Sequence, residues 1–244
     1  MLPVSASLSK KIYSFNVTNL KLMLMVVLEE IELARAGFLK YTRKAFLRLP
    51  HKERPQILDI GCGSGAPTIE LAKLSNGAVT GIDIDKSCID ELNGKIRIEA
   101  LSNRVEGINL SMFEMKFPAE TFDIIWSEGV IRTIGFEQSL KQWRRFLKRN
   151  GYLVIHCQTK YVVDSLSNIP KHGYSLKETV QLPSDAWWIE FYQPLEEKIS
   201  ALLHKYATSS DALQLLRQLQ SEIIMVKKNP RNFRSAFYIM KKVL

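Results

Sequence analysis

Three glycines at alternate positions, Gly61, Gly63 and Gly65, follow the short apolar run Gln56 to Ile60. Glycines at that spacing let a chain turn sharply out of a strand, and they let a ligand lie against the main chain. Cys62 belongs to the same turn. The helix that follows starts near Ala66-Pro67, and proline suits a first helical turn because its missing N–H is not needed there. The free amides of that turn face the ligand. The glycines alone are ambiguous, since Gly61, Gly63 and Ala66 also satisfy the relaxed dinucleotide fingerprint G-x-G-x-x-A.

Two carboxylates discriminate. Asp59 stands just before the first glycine, at the carboxyl end of the strand. A negative charge there repels a pyrophosphate and suits a ligand that carries an ammonium and a sulfonium, as S-adenosylmethionine does. Asp83 ends a second apolar run, about twenty residues past the turn, where an acid accepts the hydroxyls of a ribose. A ribose acid fits either cofactor, so Asp59 decides between them. Asp85 is the alternative for the ribose, but Asp83 ends the strand directly. A nicotinamide-dependent oxidoreductase is the competing reading, and Asp59 argues against it.

These residues need strands that end side by side. From Gln56 onward short apolar runs alternate with helical stretches. Strands are expected at 56–60, 78–82, 105–109, 122–126 and 152–158. Helices are expected at 66–75, 86–101 and 136–148, the last closed by the cap signal Asn150-Gly151. That alternation implies right-handed crossovers and a parallel sheet covered on both faces. Before it, 17–49 is rich in helix formers, with Gly37 marking a break between two helices. After it come a strand at 173–182, helices at 194–206 and 210–227, and a last strand at 235–243. Ser209, Ser210 or Asp211 caps the second of those helices. The expected domains are a helical lid over 1–52 and a ligand-binding domain over 53–244, with a helical decoration in 173–230.

Composition narrows the class. With 46% hydrophobic and 24% charged residues, the 244-residue chain is an ordinary globular one. Leu20 to Leu28 is the longest apolar candidate, and it is too short and too charged for the roughly 20 residues of a membrane span. Met1 to Lys11 lacks the pattern of a secretory leader. A cytoplasmic location is expected. The three cysteines and four histidines form no ligand cluster, so no metal is expected. The net charge of +9 suggests an anionic partner, but the positive residues are dispersed as they are on solvated helix faces.

The stretches Leu58 to Gly65, Gly81-Ile82-Asp83 and Phe122 to Trp126 resemble the class I S-adenosylmethionine-dependent methyltransferases. Trp126 to Phe136 resembles the W-S-E-G-x-x-x-x-I-G-F stretch of a prokaryotic subgroup of small-molecule type. The resemblance covers roughly 56–158 and the last strand. It implies an α/β fold, a doubly wound seven-stranded and mostly parallel sheet whose last strand is antiparallel and inserted next to the fifth. It also implies roles. Asp59 faces the methionine amine, Gly61, Gly63 and Gly65 pass beneath the cofactor, and Asp83 holds the ribose. Ile84 walls the adenine. Ser111 and Met112 contact it, although Ser111 replaces the usual acid. Ser127 and Glu128 leave the fourth strand near the methionine end.

On the acceptor side, methyl transfer needs an aligned nucleophile and dry surroundings, and a base only when the acceptor is protonated. Glu128 stands at the sheet edge where ligands bind in open α/β folds. It either handles the acceptor or braces a nearby loop. His156 reads as a satisfied core histidine. Trp187, Trp188, Phe191 and Tyr192 read as lid packing before acceptor pocket. The fourth strand lacks the Asn/Asp-Pro-Pro-aromatic sequence of base-modifying amino methyltransferases, no Pro-Cys pair is present, and no RNA-binding appendage is evident. A small-molecule acceptor is therefore expected ahead of a nucleic acid or protein.

Overall fold

The structure, a computed structural model, describes residues 18–206 and 210–243. Met1 to Lys11 and the expected cap Ser209 lie outside the described residues. The chain divides into two compact units. One comprises residues 39–182 and 235–244, and the other the described residues up to Phe38 together with 183–234.

The first unit is built on one sheet. Its strands are β1 (Gln56–Ile60), β2 (Ala78–Asp83), β3 (Val105–Asn109), β4 (Phe122–Glu128), β5 (Leu147–Gln158), β6 (Tyr174–Gln181) and β7 (Ser235–Lys242). Their order across the sheet is β3-β2-β1-β4-β5-β7-β6. The first five run parallel, and β7 is antiparallel to both β5 and β6. This is the doubly wound arrangement expected, with the last strand inserted beside the fifth. β4 is buried along all but its final residue, as a strand covered on both faces must be. Leu58, Ile60, Ile125, Leu153, Ile155 and Met240 form a core with Phe136, Leu140 and Trp143.

A long helix, α1 (Thr18–Phe46), precedes the sheet. The break expected at Gly37 is absent. One glycine costs a helix about 1 kcal/mol relative to alanine, which a long run of Leu, Met, Glu and Ala absorbs. Next come α2 (Ala66–Ser75) and α3 (Lys86–Ile98). α3 stops three residues before the expected Leu101. Ala100 turns left-handed at φ 54, and the amide of Leu101 reaches back to Ile96 O at 2.9 Å, which closes the helix without a glycine. After a single turn, α4 (Ile131–Ile134), α5 (Phe136–Trp143) ends five residues before the expected Lys148. Arg144–Phe146 tighten into a 3-10 turn, and Leu147 then pairs with Phe122. Asn150, at φ 62, serves the register shift of β5 against β4 rather than a helix cap.

The other unit packs helical faces. Met23, Val27 and Ile31 of α1 are buried, as are Leu195, Ile199 and Leu202 of α6 (Gln193–Lys205) and Leu216, Leu219 and Ile223 of α7 (Ser210–Lys228). The spacing of three and four is that of an amphipathic stripe. Trp187 lies 4.6 Å from Phe38 between ring centroids, and Phe191 meets Phe38 edge-on at 6.3 Å. Trp188 carries the ammonium of Lys227 at 5.1 Å. These aromatics pack on one another and on the chain's own lysine. No described helix is long and apolar enough to cross a membrane.

Candidate functional site

The site grows from the carboxyl ends of β1, β2 and β4. After Ile60 the chain turns on three left-handed glycines, with φ of 72, 54 and 86 at Gly61, Gly63 and Gly65. The amides of Gly61 and Cys62 both donate to Ile82 O, at 2.8 and 3.0 Å, which ties the turn to the end of β2. A Cβ on Gly61 would stand 2.0 Å from Val130 Cγ1, and one on Gly65 2.2 Å from Leu92 Cδ1. One on Gly63 would meet nothing within 4 Å. Two of the glycines therefore serve close packing, and the third leaves main chain open to a ligand.

Asp83 is joined to that turn. Its Oδ2 accepts from Gly63 N at 2.9 Å and its Oδ1 from Asp85 N at 2.9 Å. Asp85 instead caps α3, accepting from Ser87 N at 2.9 Å and Ser87 Oγ at 2.6 Å. That employment makes it the poorer ribose residue of the two. Ile84 follows with 70% of its surface exposed. Asn109 fixes this corner by donating to the carbonyls of Asp83 and Ile84, at 3.1 and 2.9 Å. In the neighbouring loop, Ser111 Oγ accepts from Phe113 N at 3.3 Å, and Met112 packs against the core.

Asp59 is 1% exposed, and its Oδ2 accepts from Thr68 Oγ1 at 2.6 Å. Burial pushes its pKa up to about 7, the charges of Glu128 and Asp83 push the same way, and the Thr68 hydrogen bond opposes them. Glu128 ends β4. Its Oε1 accepts from Trp126 Nε1 at 2.8 Å and Thr42 Oγ1 at 2.9 Å. Burial raises it to about 6 against those two bonds. Arg43, next to Thr42, is held by Glu70. Among the described residues no lysine or arginine pairs with Asp59 or Glu128. A buried carboxylate and a half-buried one, without a cation among the described residues, make a site that attracts positive charge.

Other expected residues have structural employment. Ser127 is fully buried and donates to Ile60 O at 3.0 Å, bracing β4 to β1. Burial pushes the Cys62 thiol up, and its sulfur fills the space above Gly81, 3.1 Å from where a Cβ would stand. His156 stacks on Phe237 at 4.4 Å, with Nε2 3.0 Å from Ser235 Oγ. Burial pushes it down to about 3, so it is neutral and belongs to the core.

Sequence reasoning missed Thr42 and Thr68. Each is a polar residue on a buried face: Thr42 lies among buried Phe38, Tyr41 and Ala45, and Thr68 beside buried Ile69, Leu71 and Ala72. A hydroxyl at a core position of an amphipathic helix is the signal that points to them.

An open main-chain face at Gly63, a buried carboxylate at Asp59 with no cation among the described residues, and an acid beside an exposed apolar residue fit the ends of a sulfonium nucleoside.

Residues 58–155 match the model of a methyltransferase domain. Among similar proteins, methyltransferase GfsG of Streptomyces halstedii is 28% identical over 124 residues, which is 50% of this chain and 44% of GfsG. The 27-O-demethylrifamycin SV methyltransferase of Amycolatopsis mediterranei is 29% identical over 108 residues, 44% of this chain and 40% of that protein. The chain thus spans less than half the length of either relative. A S-adenosylmethionine-dependent methyltransferase from Geobacter sulfurreducens, solved with S-adenosyl-L-homocysteine, superposes with a TM-score of 0.70. It is 15% identical, and the match covers 100% of this chain and 99% of that one.

Proposed function

From a chain that carries a class I S-adenosylmethionine-dependent methyltransferase domain, we propose transfer of the sulfonium methyl to a small-molecule acceptor. The observation that supports this most is the buried Asp59, which has a hydroxyl partner and no cation among the described residues. The bound donor supplies an activated methyl on a good neutral leaving group. The protein's part is to hold, align and exclude water. In this reading Asp59, with Thr68, takes the donor's ammonium. Gly61, Cys62, Gly63 and Gly65 lie along its sugar, and Asp83 accepts its ribose hydroxyls. Ile84, Ser111 and Met112 line the adenine, and Ser127 keeps the ends of β1 and β4 in register. Glu128 faces the acceptor side.

The small-molecule class is favoured by the rifamycin methyltransferase likeness. Several lysines are also paired with the chain's own acids: Asp123 takes Lys52 and Lys148, Glu196 takes Lys227, and Glu120 takes Lys242. Isothermal titration with S-adenosylhomocysteine tests the donor site. Micromolar to submillimolar binding is expected, and no heat at millimolar ligand refutes it. Retention on heparin that falls steeply with salt would move the acceptor class toward nucleic acid.

A further inference from the structure

Glu128 is held in a particular way. Trp126 and Thr42 both donate to Oε1, at 2.8 and 2.9 Å. Two donors on one oxygen fix the rotation of the carboxylate. Oε2 then stands 3.8 Å from Nδ1 of His156 and accepts no hydrogen bond from the described residues. Glu128 keeps 18% of its side chain exposed. The ionisable groups facing it are Asp59 from β1, which is acidic, and His156 from β5, which is neutral. Thr42 from α1 and Trp126 from its own strand are uncharged donors. Among the described residues, no cation answers the carboxylate's charge. A site of this kind favours a ligand that brings a cation and an N–H.

We propose that Oε2 of Glu128 binds the nitrogen of an amine acceptor, with Thr42 and Trp126 as the positioning residues that aim it. The inference rests on the donor reading above and adds the acceptor's chemical class. The acceptor arrives as an ammonium and passes one proton to Oε2, leaving a neutral amine beside a carboxylic acid. The freed lone pair bonds to the methyl carbon while the carbon–sulfur electrons return to sulfur. The products are an N-methylammonium and a neutral thioether, and Glu128 then releases its proton to water.

The test uses the full chain saturated with S-adenosylhomocysteine and a panel of matched amines, alcohols and carboxylic acids on shared scaffolds, tyramine, ethanolamine and benzylamine among the amines. Binding of S-adenosylhomocysteine to the wild type is measured first and decides the donor reading separately. Thermal shift and titration should then show amines binding, their alcohol and acid counterparts binding at least about tenfold more weakly, and Glu128→Gln losing the preference. No binding by any amine, equal binding by the alcohols, or an undiminished preference in Glu128→Gln overturns the proposal.

Positioning has its own readout. Amine binding should fade as pH falls through about 6, where Glu128 takes up its proton. Thr42→Val removes a bond to the charged form and should move that midpoint upward, and Thr42→Ser should restore it. If Thr42→Val weakens binding without moving the midpoint, Thr42 is only packing and the positioning assignment fails.

Discussion

Replacing Asp59 by asparagine keeps the shape of the site and its bond to Thr68 while removing one ionisable group. In the folded chain burial, with the charges of Glu128 and Asp83, lifts this carboxyl from 3.8 to about 7. A raised folded value means that the native state holds the proton more tightly than the unfolded chain does. The stability that this contributes is complete below 3.8 and is lost as pH climbs to about 7. Three units at about 1.4 kcal/mol each give roughly 4 kcal/mol, the cost of ionising an unpaired buried acid. Asparagine escapes this cost. Without its ligand, Asp59→Asn should therefore be the more stable protein at about pH 8, and its advantage should widen by about 3 kcal/mol between pH 5 and pH 8. Removing the charge also relieves Glu128, which adds in the same direction. Urea unfolding of both proteins across that range measures the effect. The same variant should bind S-adenosylhomocysteine at least about tenfold more weakly, since a charged hydrogen bond is lost. A variant that is less stable at every pH, or whose advantage does not grow with pH, would refute the reasoning that Asp59 waits for a cation.

The glycine turn offers a paired test. Gly65→Ala meets Leu92 at 2.2 Å on a left-handed backbone and should lose about 3 kcal/mol of stability by chemical denaturation. Gly63→Ala, with open space around its Cβ, should lose only about 1 kcal/mol yet weaken S-adenosylhomocysteine in titration. Away from the site, burial pushes Asp123 up, but Lys52, the Gln56 amide and Lys148 together hold it below its ordinary value. Its contribution is present above the unfolded pKa and vanishes as pH falls through the folded one. Asp123→Asn should cost about 2 kcal/mol near neutrality, and the deficit should close in acid.

The glycine turn and the two strand-end acids were legible because each leaves a local mark. A tight strand–helix turn needs Gly61, Gly63 and Gly65, and an acid at each strand end shows as Asp59 and Asp83 closing an apolar run. The sheet was legible for a related reason: β1, β4 and β7 each hold a short apolar run, Ile57-Leu58, Ile124-Ile125-Trp126 and Ala236 to Met240. What failed depended on long-range pairing. The tail of α5 is as good a helix former as its start, and only the pairing of Leu147 with Phe122 makes it a strand. Gly37 looked like punctuation because its cost is local, while the helix around it is held by distant packing. Thr42 is 86 positions from Glu128, and no spacing rule links them. Glu128 could be named from the sequence, and only its partner Thr42 emerged from the coordinates.

The place of β7 bears on how the protein is made. Residues 235–242 lie between two strands synthesised well before them, and they supply one neighbour to β5 and the neighbour of β6. Until that segment has left the ribosome, the nascent chain must carry two open edges, each a template for wrong pairing. The half of the sheet that bears the glycine turn can form early. Its other half has to wait for residues 235–242, and a chaperone that shields β5 and β6 until then would have the most to protect.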